Sequence, residues 1–577
     1  MQQVDLTTLR ALCSELRAQW LPARLEQVYQ CDRFTIQLAL RTLQHRGWLT
    51  VSWHPQAARL GIGAAPPRSP DTFTLSQQLR HQLNGLVLVA IAQTSPWERV
   101  IDLQFAQRPQ EAAQWHLYVE VMGKYSNVIL TTADQIVVTA AHQVNANQSR
   151  IRTIQTGQRY ESPPPLTGPT PTLQESLDHW RDRLTLIPGP LKTTLVKQYR
   201  GLSSMLVLEM LAAADLAPAQ TTDTLTDTDW MRLFQRWQQW LTLLETEQFQ
   251  PEWQATGYSV LGWHSGTSAP SVQQLVETYY TQHLQQQTFQ QLRHQLLQKL
   301  GNVLDKLQTK AAVFTRQMVD ATQAEAYRGQ ADLLMAHLHQ WQPGLRQIVL
   351  PDFETGEPHT LALNPERNAV QNAQALYKRH QKLKRSRQHV QPLLDAVQTE
   401  IRYLEQVVAS VEAIEIFRNP EDLDILAEIR DELIQQQYWS DPDYRGPSRD
   451  KTHFYRYQSP GGWEILIGRN NRQNEQLSFR VASTYDIWLH SQEIAGSHVL
   501  LRLEAGTRPD AQDLQFAADL AAYYSRGRHS GQVPVVWTES KNLYKPKGAK
   551  PGMAIYKHEQ VVWGNPHAGA IAPLGQP

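Results

Sequence analysis

Apolar residues spaced by threes and fours run along two long stretches of the chain and predict its longest elements. Phe289, Leu292, Leu296, Leu300, Val303, Leu307, Ala311, Phe314 and Met318 mark the seam of one helix, and Leu376, Leu383, Val390, Leu394, Val397, Ile401, Leu404, Val408 and Val411 mark a second. A β-like insert from about Arg346 to Leu363, with Pro343-Gly344 and Pro351, separates them. Two seams joined by a turn predict a long antiparallel coiled-coil arm with a small tip insert at 271–436; a parallel dimeric coiled coil is the alternative. A helix of about 35 to 60 residues is roughly 50 to 90 Å long, enough to reach a distant partner.

The pattern changes on either side of the arm. Residues 1–185 mix an amphipathic helix (Leu6, Leu9, Leu12, Leu16) with β-rich runs such as Thr35 to Leu40 and Val128-Ile129-Leu130, ending near Pro163-Pro164-Pro165. Residues 186–270 read as short-looped helices, with Leu195, Val196 and Tyr199 before Gly201 and Leu206, Leu208, Met210 and Leu211 after it. A helix, a glycine turn and a second helix resemble a helix-hairpin-helix, whose turn amides can hold a phosphate; an ordinary helical hairpin explains the same pattern. Over 437–577 β-like runs return at Trp463 to Gly468, Val499 to Leu503 and Val533 to Trp537. One helix with a small-residue face (Leu514, Ala517, Ala518, Ala521, Ala522, Tyr524) interrupts them. The fold class expected is α+β multidomain.

One strand has chemistry on it. Period-two alternation puts Asp486, Trp488 and His490 on one face and Ile487 and Leu489 on the other. The first face offers a ring for stacking, an imidazole and a carboxylate, a set suited to RNA, with Ser497 and His498 close behind in sequence.

With 577 residues the chain is too long for one core and must hold several domains. The 55 Lys+Arg balance the 55 Asp+Glu, so any attraction to a polyanion must come from local patches. Arg367, Lys378, Arg379, Lys382, Lys384, Arg385 and Arg387 form one such patch, with no acid between Arg367 and Leu394. A solvated helix face is the bland explanation; relief of self-repulsion by a nucleic acid is the functional one. Arg526, Arg528, Lys541, Lys545, Lys547 and Lys550 form a second, interleaved with Tyr523, Tyr524, Trp537 and Tyr544, and Arg150, Arg152 and Arg159 with His142 a third. The only cysteines, Cys13 and Cys31, fit a reducing compartment, and no apolar run is long enough for a secretory or membrane segment, so a cytoplasmic protein is expected.

Catalytic motifs are sparse. There is no phosphate-binding loop of the Lys-Ser/Thr type and no nucleophile-elbow serine, and Gly61-Ile62-Gly63 lacks the third glycine of a dinucleotide turn. His490 and His498 lack the further ligands of a zinc site. No cofactor and no metal are expected; a metal-free nuclease using His490 and Asp486 is the enzymatic alternative.

Several segments resemble the NFACT family, to which ribosome quality-control factors and fibronectin-binding protein homologues belong. The N-terminal ones are Val119 to Leu130, His142, Ser149-Arg150-Ile151-Arg152 and Gly157-Gln158-Arg159-Tyr160; Asn368-Ala369 to Lys384 is similar to the start of the family's second coil helix. Gly468 to Asn474, Asp486 to His490, Gly496-Ser497-His498-Val499, Ala521 to Ser525 and Lys545 to Gly552 resemble successive motifs of the family's RNA-binding domain. The resemblance implies a glycosylase-like N-terminal domain, a helix-hairpin-helix domain, the coil arm and the RNA-binding module. It also implies a monomeric, non-enzymatic adaptor. Such an adaptor binds large ribosomal subunits carrying peptidyl-tRNA and recruits aminoacyl-tRNA, in bacteria mainly alanyl-tRNA. A template-free tail then marks the nascent chain for degradation, with a small accessory factor as a further partner. Nothing follows the RNA-binding module that matches the eukaryotic C-terminal extension, which favours the bacterial type. The family's tRNA-recruiting acid matches Asp5, and its later Asp-Arg pair falls on Glu98-Arg99, where the carboxylate is one methylene longer. Base excision is disfavoured, because Gln2 and Gln3 stand where those glycosylases carry proline and glutamate. A surface adhesin is a further alternative.

Overall fold

The computed structural model describes residues 1–66, 70–165, 167–263, 266–353, 355–441, 444, 446 and 453–571. The chain forms two compact units, Met1–Leu284 and Gln285–Pro577.

The first unit opens with helix α1 (Leu6–Trp20), capped by Asp5. Strands β1 (Ala23–Asp32), β2 (Thr35–Arg41), β3 (Arg46–Ser52) and β4 (Arg59–Gly63) follow, then α2 (Thr74–Leu83). Next come β5 (Val87–Gln93), β6 (Val100–Ala106), β7 (Trp115–Glu120), β8 (Asn127–Thr132) and β9 (Val137–Ala140). All nine join one antiparallel sheet in the order β4-β3-β2-β1-β5-β6-β7-β8-β9. Its alternation is the expected one: Ile36, Leu38 and Leu40 of β2 and Leu49 and Val51 of β3 point into a core shared with Leu9, Leu12 and Leu16 of α1.

Four helices form a second core. These are α3 (Leu177–Thr185), α4 (Leu191–Gln198), α5 (Ser204–Ala213) and α6 (Asp227–Thr246). Trp180, Trp230, Trp237 and Trp240 are all buried in this core, and Trp180 meets Trp230 edge-on at 5.8 Å. Packing places α3 with the helices, although a boundary at 185 assigns it to the β-rich part. The chain then returns through β10 (Glu252–Gln254), β11 (Gly257–Ser259) and β12 (Thr267–Ser268) into α7 (Val272–Thr322). Tyr258, Val260, Leu275, Val276 and Tyr280 from this segment fill the first core, far in sequence from the strands they cover.

In the second unit, α7 continues toward α8 (Ala324–Ala336), the hairpin β13 (Gln347–Pro351) and β14 (Pro358–Ala362), and α9 (Ala369–Glu412). Phe289, Leu292, Leu296 and Leu300 pack against Tyr403, Leu404, Val407 and Val411. At the other end the ring of His380 hydrogen-bonds the Ala324 carbonyl at 3.0 Å and Tyr377 donates to Asp332. The two seams therefore run antiparallel, and the 51-residue α7 is about 75 Å long. Between the two ends the helices are covered unequally: Val390, Leu394 and Val397 of α9 are buried. Val303, Leu307, Ala311, Phe314 and Met318 are only half-buried, and Pro392 lies inside α9, where it removes one helical hydrogen bond. Helix α10 (Pro420–Gln435) completes the proximal core through Ile425, Leu426, Ile429 and Leu433.

The C-terminal module comprises β15 (Tyr455–Gln458), β16 (Glu464–Ile467), α11 (Asn471–Gln476), β17 (Ile487–Ser491), β18 (Val499–Leu501), α12 (Ala511–Tyr523), β19 (Val533–Glu539), β20 (Leu543–Tyr544), β21 (Ile555–Tyr556) and β22 (Gln560–Gly564). Six strands form an antiparallel sheet, β15-β16-β18-β17-β19-β22. Ala517, Ala518, Ala521 and Ala522 of α12 lie against the face bearing Ile487 and Leu489. The opposite face is covered too: Trp488 packs with Leu466, Leu477, Leu500 and Val536, next to a π-helical turn at Leu477–Val481. An exposed aromatic face on β17 is thus corrected to a second core.

Gly468 to Asn474 forms a polar joint with α9 and α10. Arg469, with 1% of its side chain exposed, pairs with Asp422 at 2.5 Å and lies over the Tyr455 ring at 4.3 Å. Asn471 and Tyr403 both donate to Glu432, at 3.2 and 2.6 Å. Burial pushes the Glu432 carboxyl up to about 7, although those two hydrogen bonds and the Arg472 charge pull it down while Glu475 adds to the rise.

Trp488→Ala is expected to cost the second unit about 3–5 kcal/mol, read as a lower urea midpoint; an unchanged midpoint would show that the ring contributes no packing. For Glu432 the native state holds a proton that the unfolded chain has lost, so its contribution to stability falls as pH rises from the ordinary 4.5 through about 7. Glu432→Gln should therefore melt with less loss of thermal stability than the wild type on going from about pH 5 to about pH 8. Identical pH profiles would refute the assignment.

Candidate nucleic-acid interface

The start of α1 forms one site of interest. Its four leading amide groups need acceptors, and Asp5 supplies one: Oδ1 accepts from the Thr8 amide at 2.9 Å. The second oxygen, Oδ2, accepts from the hydroxyl of Ser203 at 2.7 Å, and Ser203 in turn caps α5 through the Leu206 amide at 3.0 Å. Two helix N-termini therefore meet at one carboxylate. The turn before α5 comes close because it carries Gly201: its φ is +77°, and a Cβ there would lie 2.7 Å from both Leu6 and Trp97.

Arg99 reaches the same place from the position just before β6. Its guanidinium donates to the Val4 carbonyl at 3.4 Å. Burial lowers the guanidinium pKa, and the charges of Asp5 and Glu98 act in the opposite direction. Asp5, Glu98 and Arg99 line one cavity of about 670 Å³, together with Trp97, Gly201 and Ser203. Three residues separated by up to 94 positions in sequence thus converge on one concave surface. Sequence reasoning missed Ser203 and Gly201 as members of this cavity; the signal available was a serine three residues before Leu206, at the start of an apolar run.

Of the third basic cluster, Arg150 is exposed. Arg152 is committed internally: it donates to Glu120 at 3.0 Å and lies over the Tyr160 ring at 5.1 Å, while Tyr160 donates to the same carboxylate at 2.9 Å. As a direct contact for an external anion, Arg152 is corrected to a buried partner of Glu120.

On α9, Lys378, Arg379, Lys382, Lys384, Arg385 and Arg387 are all exposed, as is Arg367 just before it. Lys378, Lys382 and Arg385, spaced i, i+4 and i+7, share one face of the helix. Arg379 lies over the Tyr327 ring at 4.4 Å. Among the described residues none of these cations forms an ion pair, so the stripe keeps its full charge toward solvent.

The C-terminal candidates divide differently. Asp486 is fully buried, accepting from the Ser483 and Leu503 amides at 2.8 and 3.0 Å. Trp488 is 1% exposed and donates its indole N–H to Ser478 at 3.0 Å; the same hydroxyl contacts the His498 ring at 2.7 Å. His490 hydrogen-bonds the Gly496 carbonyl at 3.3 Å, and desolvation pushes its imidazole down to about 4 and that of His498 well below the ordinary value. His490 and His498 brace the loop around half-buried Ser497 from within, and Asp486 ties the segments on either side of the sheet strands. A ring without exposed faces cannot stack on a base, so the expected contacts by Asp486, Trp488 and His498 are corrected to packing and positioning.

Half of the last basic patch is paired with distant acids, and Lys541 with neighbouring Glu539. Arg526 pairs with Glu405 at 3.6 Å, Arg528 with Glu415 at 3.1 Å, and Lys545 with Glu475 at 2.7 Å. Lys550 donates to Gln436 at 2.8 Å and lies between the Tyr403 and Tyr438 rings, 5.4 and 5.1 Å from their centroids. Lys547 remains exposed. Among the described residues no group of three His, Cys, Asp or Glu is placed to hold a metal ion, and no helix is long and apolar enough to cross a membrane.

Residues 5–452 match the family described as NFACT N-terminal and middle domains, and residues 451–557 match the NFACT protein RNA binding domain. The chain is similar to the Rqc2 homolog RqcH of Bacillus subtilis, with 28% identity over 579 residues and 97% of each chain covered. It is also similar to the Rqc2 homolog RqcH of Streptococcus pneumoniae, with 27% identity over 576 residues and 98% of each chain covered. Among solved structures, the C-terminal part of the fibronectin/fibrinogen-binding protein from Streptococcus suis is 29% identical, at a TM-score of 0.37, covering 48% of this chain and 95% of that one. The two family matches between them run from residue 5 to residue 557, and the chain belongs to the NFACT family.

Proposed function

We propose that this protein is a ribosome quality-control adaptor that binds large ribosomal subunits carrying peptidyl-tRNA. It recruits aminoacyl-tRNA, with alanyl-tRNA the expected species, for template-free tailing of the stalled nascent chain. The observation that carries this reading is the convergence of Asp5, Glu98 and Arg99 on one cavity, in a chain similar over nearly its whole length to RqcH proteins. In this reading Arg99 offers a cation poised between two carboxylates, which can exchange its Val4 carbonyl contact for an RNA oxygen. Ser203 and Asp5 hold the cavity wall. The α4–Gly201–α5 turn takes the helix-hairpin-helix role, and the sheet with its helical neighbour is glycosylase-like in layout without that enzyme's N-terminal proline.

The exposed stripe at Lys378, Arg379, Lys382, Lys384 and Arg385 supplies sequence-independent grip on rRNA phosphates, and Arg150, Lys545, Lys547 and Lys550 add smaller contributions. The peptide bond is made by the ribosome, so the protein acts as a monomeric cytoplasmic adaptor with no cofactor. A small accessory tailing factor is a further partner.

Arg99→Ala should abolish tail synthesis in a reconstituted reaction while co-sedimentation with large subunits persists. Tails at wild-type levels in that variant would reject the cavity's role. Replacing Lys378, Lys382 and Arg385 together by Gln should reduce the log–log salt slope of subunit binding by about 2 to 3, at roughly 0.9 per neutralised phosphate. An unchanged slope would show that the stripe is a solvated face.

A further inference from the structure

The outer face of the first strands carries an arrangement of charge that the tRNA cavity does not use. Register places Arg24 of β1 opposite Arg41 of β2, and Arg41 opposite Arg46 of β3. Three guanidinium side chains thus stand in one row across three neighbouring strands, spaced about 4.8 Å apart at the backbone. Like charges directly opposite one another destabilise a sheet unless something answers them. Among the described residues a single carboxylate does so. Glu26, set out of register at a bulge between Leu25 and Gln27, accepts from Arg41 at 3.4 Å and pairs with Arg46 at 2.8 Å. Arg24 forms no ion pair among the described residues, and the Arg41 and Arg46 side chains remain 67% and 75% exposed.

An open groove of about 730 Å³ lies along this row. Trp48 lines it, paired in register with Ala39, whose methyl group is too small to cover an indole. The ring is half-exposed and has no aromatic or cationic partner among the described residues. The groove is much larger than one phosphate ion needs. Guanidinium groups at repeated spacing beside a partly exposed indole match a nucleotide strand, which offers both phosphates and bases. An acidic peptide would satisfy the arginines and leave the indole without a partner.

We infer that this face binds a single RNA strand, with phosphates on Arg24, Arg41 and Arg46 and a base against Trp48. The site shares no lining residue with the Asp5–Arg99 cavity and stands whether or not tailing occurs. Its test uses the full chain and a fluorescein-labelled oligouridine of about 12 nucleotides, titrated by anisotropy at several salt concentrations. The background carries Lys378→Gln, Lys382→Gln and Arg385→Gln, which weakens the coil stripe's share of the measurement and is common to all variants compared. In that background Arg24→Gln with Arg46→Gln should lower the log–log salt slope by about 1.4, at roughly 0.7 per single-strand phosphate. Glu26→Gln, which removes the one internal counter-charge, should tighten binding, so the two changes move affinity in opposite directions. Photocrosslinking of a 4-thiouridine oligomer should map to the peptide containing Trp48. No oligouridine binding in the background protein, an unchanged slope in the double variant, or unaltered affinity in Glu26→Gln would each overturn the inference. So would a loss confined to polyglutamate, which would identify an acidic protein ligand instead. Failure of Arg99→Ala to affect tailing would leave this result untouched.

Discussion

A carboxylate taken out of water must find donors, and much of this molecule is organised around meeting that requirement. Asp5 joins α1 to a helix whose cap lies 198 residues later. Glu120 gathers Arg152 and Tyr160 beneath the loop that follows β9. Asp422 neutralises an almost fully buried Arg469, and Asp486 ties the start of β17 to the end of β18 through two amides. Each of these acids lies where elements distant in sequence meet. Loss of one partner would leave an unpaired charge inside, which costs more than the pair contributes. The joints are therefore specific: each acid accepts only the partners that reach it.

The periodic features were legible in the sequence because their signal is local. Three-and-four spacing from Phe289 onward locates α7, and alternation at Thr35 to Leu40 locates β2. Alternation also separates Trp488 from Leu489 correctly. It says nothing about whether a second layer covers the tryptophan side, and here Leu477 and its neighbours do. Charge counting met the same limit. The acids that neutralise Arg526, Arg528 and Lys545 lie 70 to 121 residues away, outside any local window. The cations of the α9 stripe are exposed because a long helix with one partner leaves most of its circumference to solvent.

The candidate cavity was legible by another route. No spacing rule connects Asp5 to Glu98 and Arg99; their pairing came from family resemblance, and the geometry brings them to one surface. Ser203 and Gly201 were invisible because their role depends on a close approach between turns, which no single segment encodes. The chain's zero net charge conceals the outcome of this pairing. Internal partners take up some of its cations, such as Arg469 and Arg152, and leave others, such as those along α9, facing outward.

The helical hairpin has one further property. Its contacts are dense near Phe289 and Leu404 and again around His380, while in the stretch between them the α7 seam is only half-buried over Val390, Leu394 and Val397, and Pro392 interrupts α9. Bending stiffness follows the density of packed contacts and intact hydrogen bonds, so flexure concentrates in that middle stretch. The hairpin then acts as a beam with a soft midpoint. A load applied to its distal half is taken up there as elastic strain, while the proximal bundle stays rigid and little of it passes on as torque.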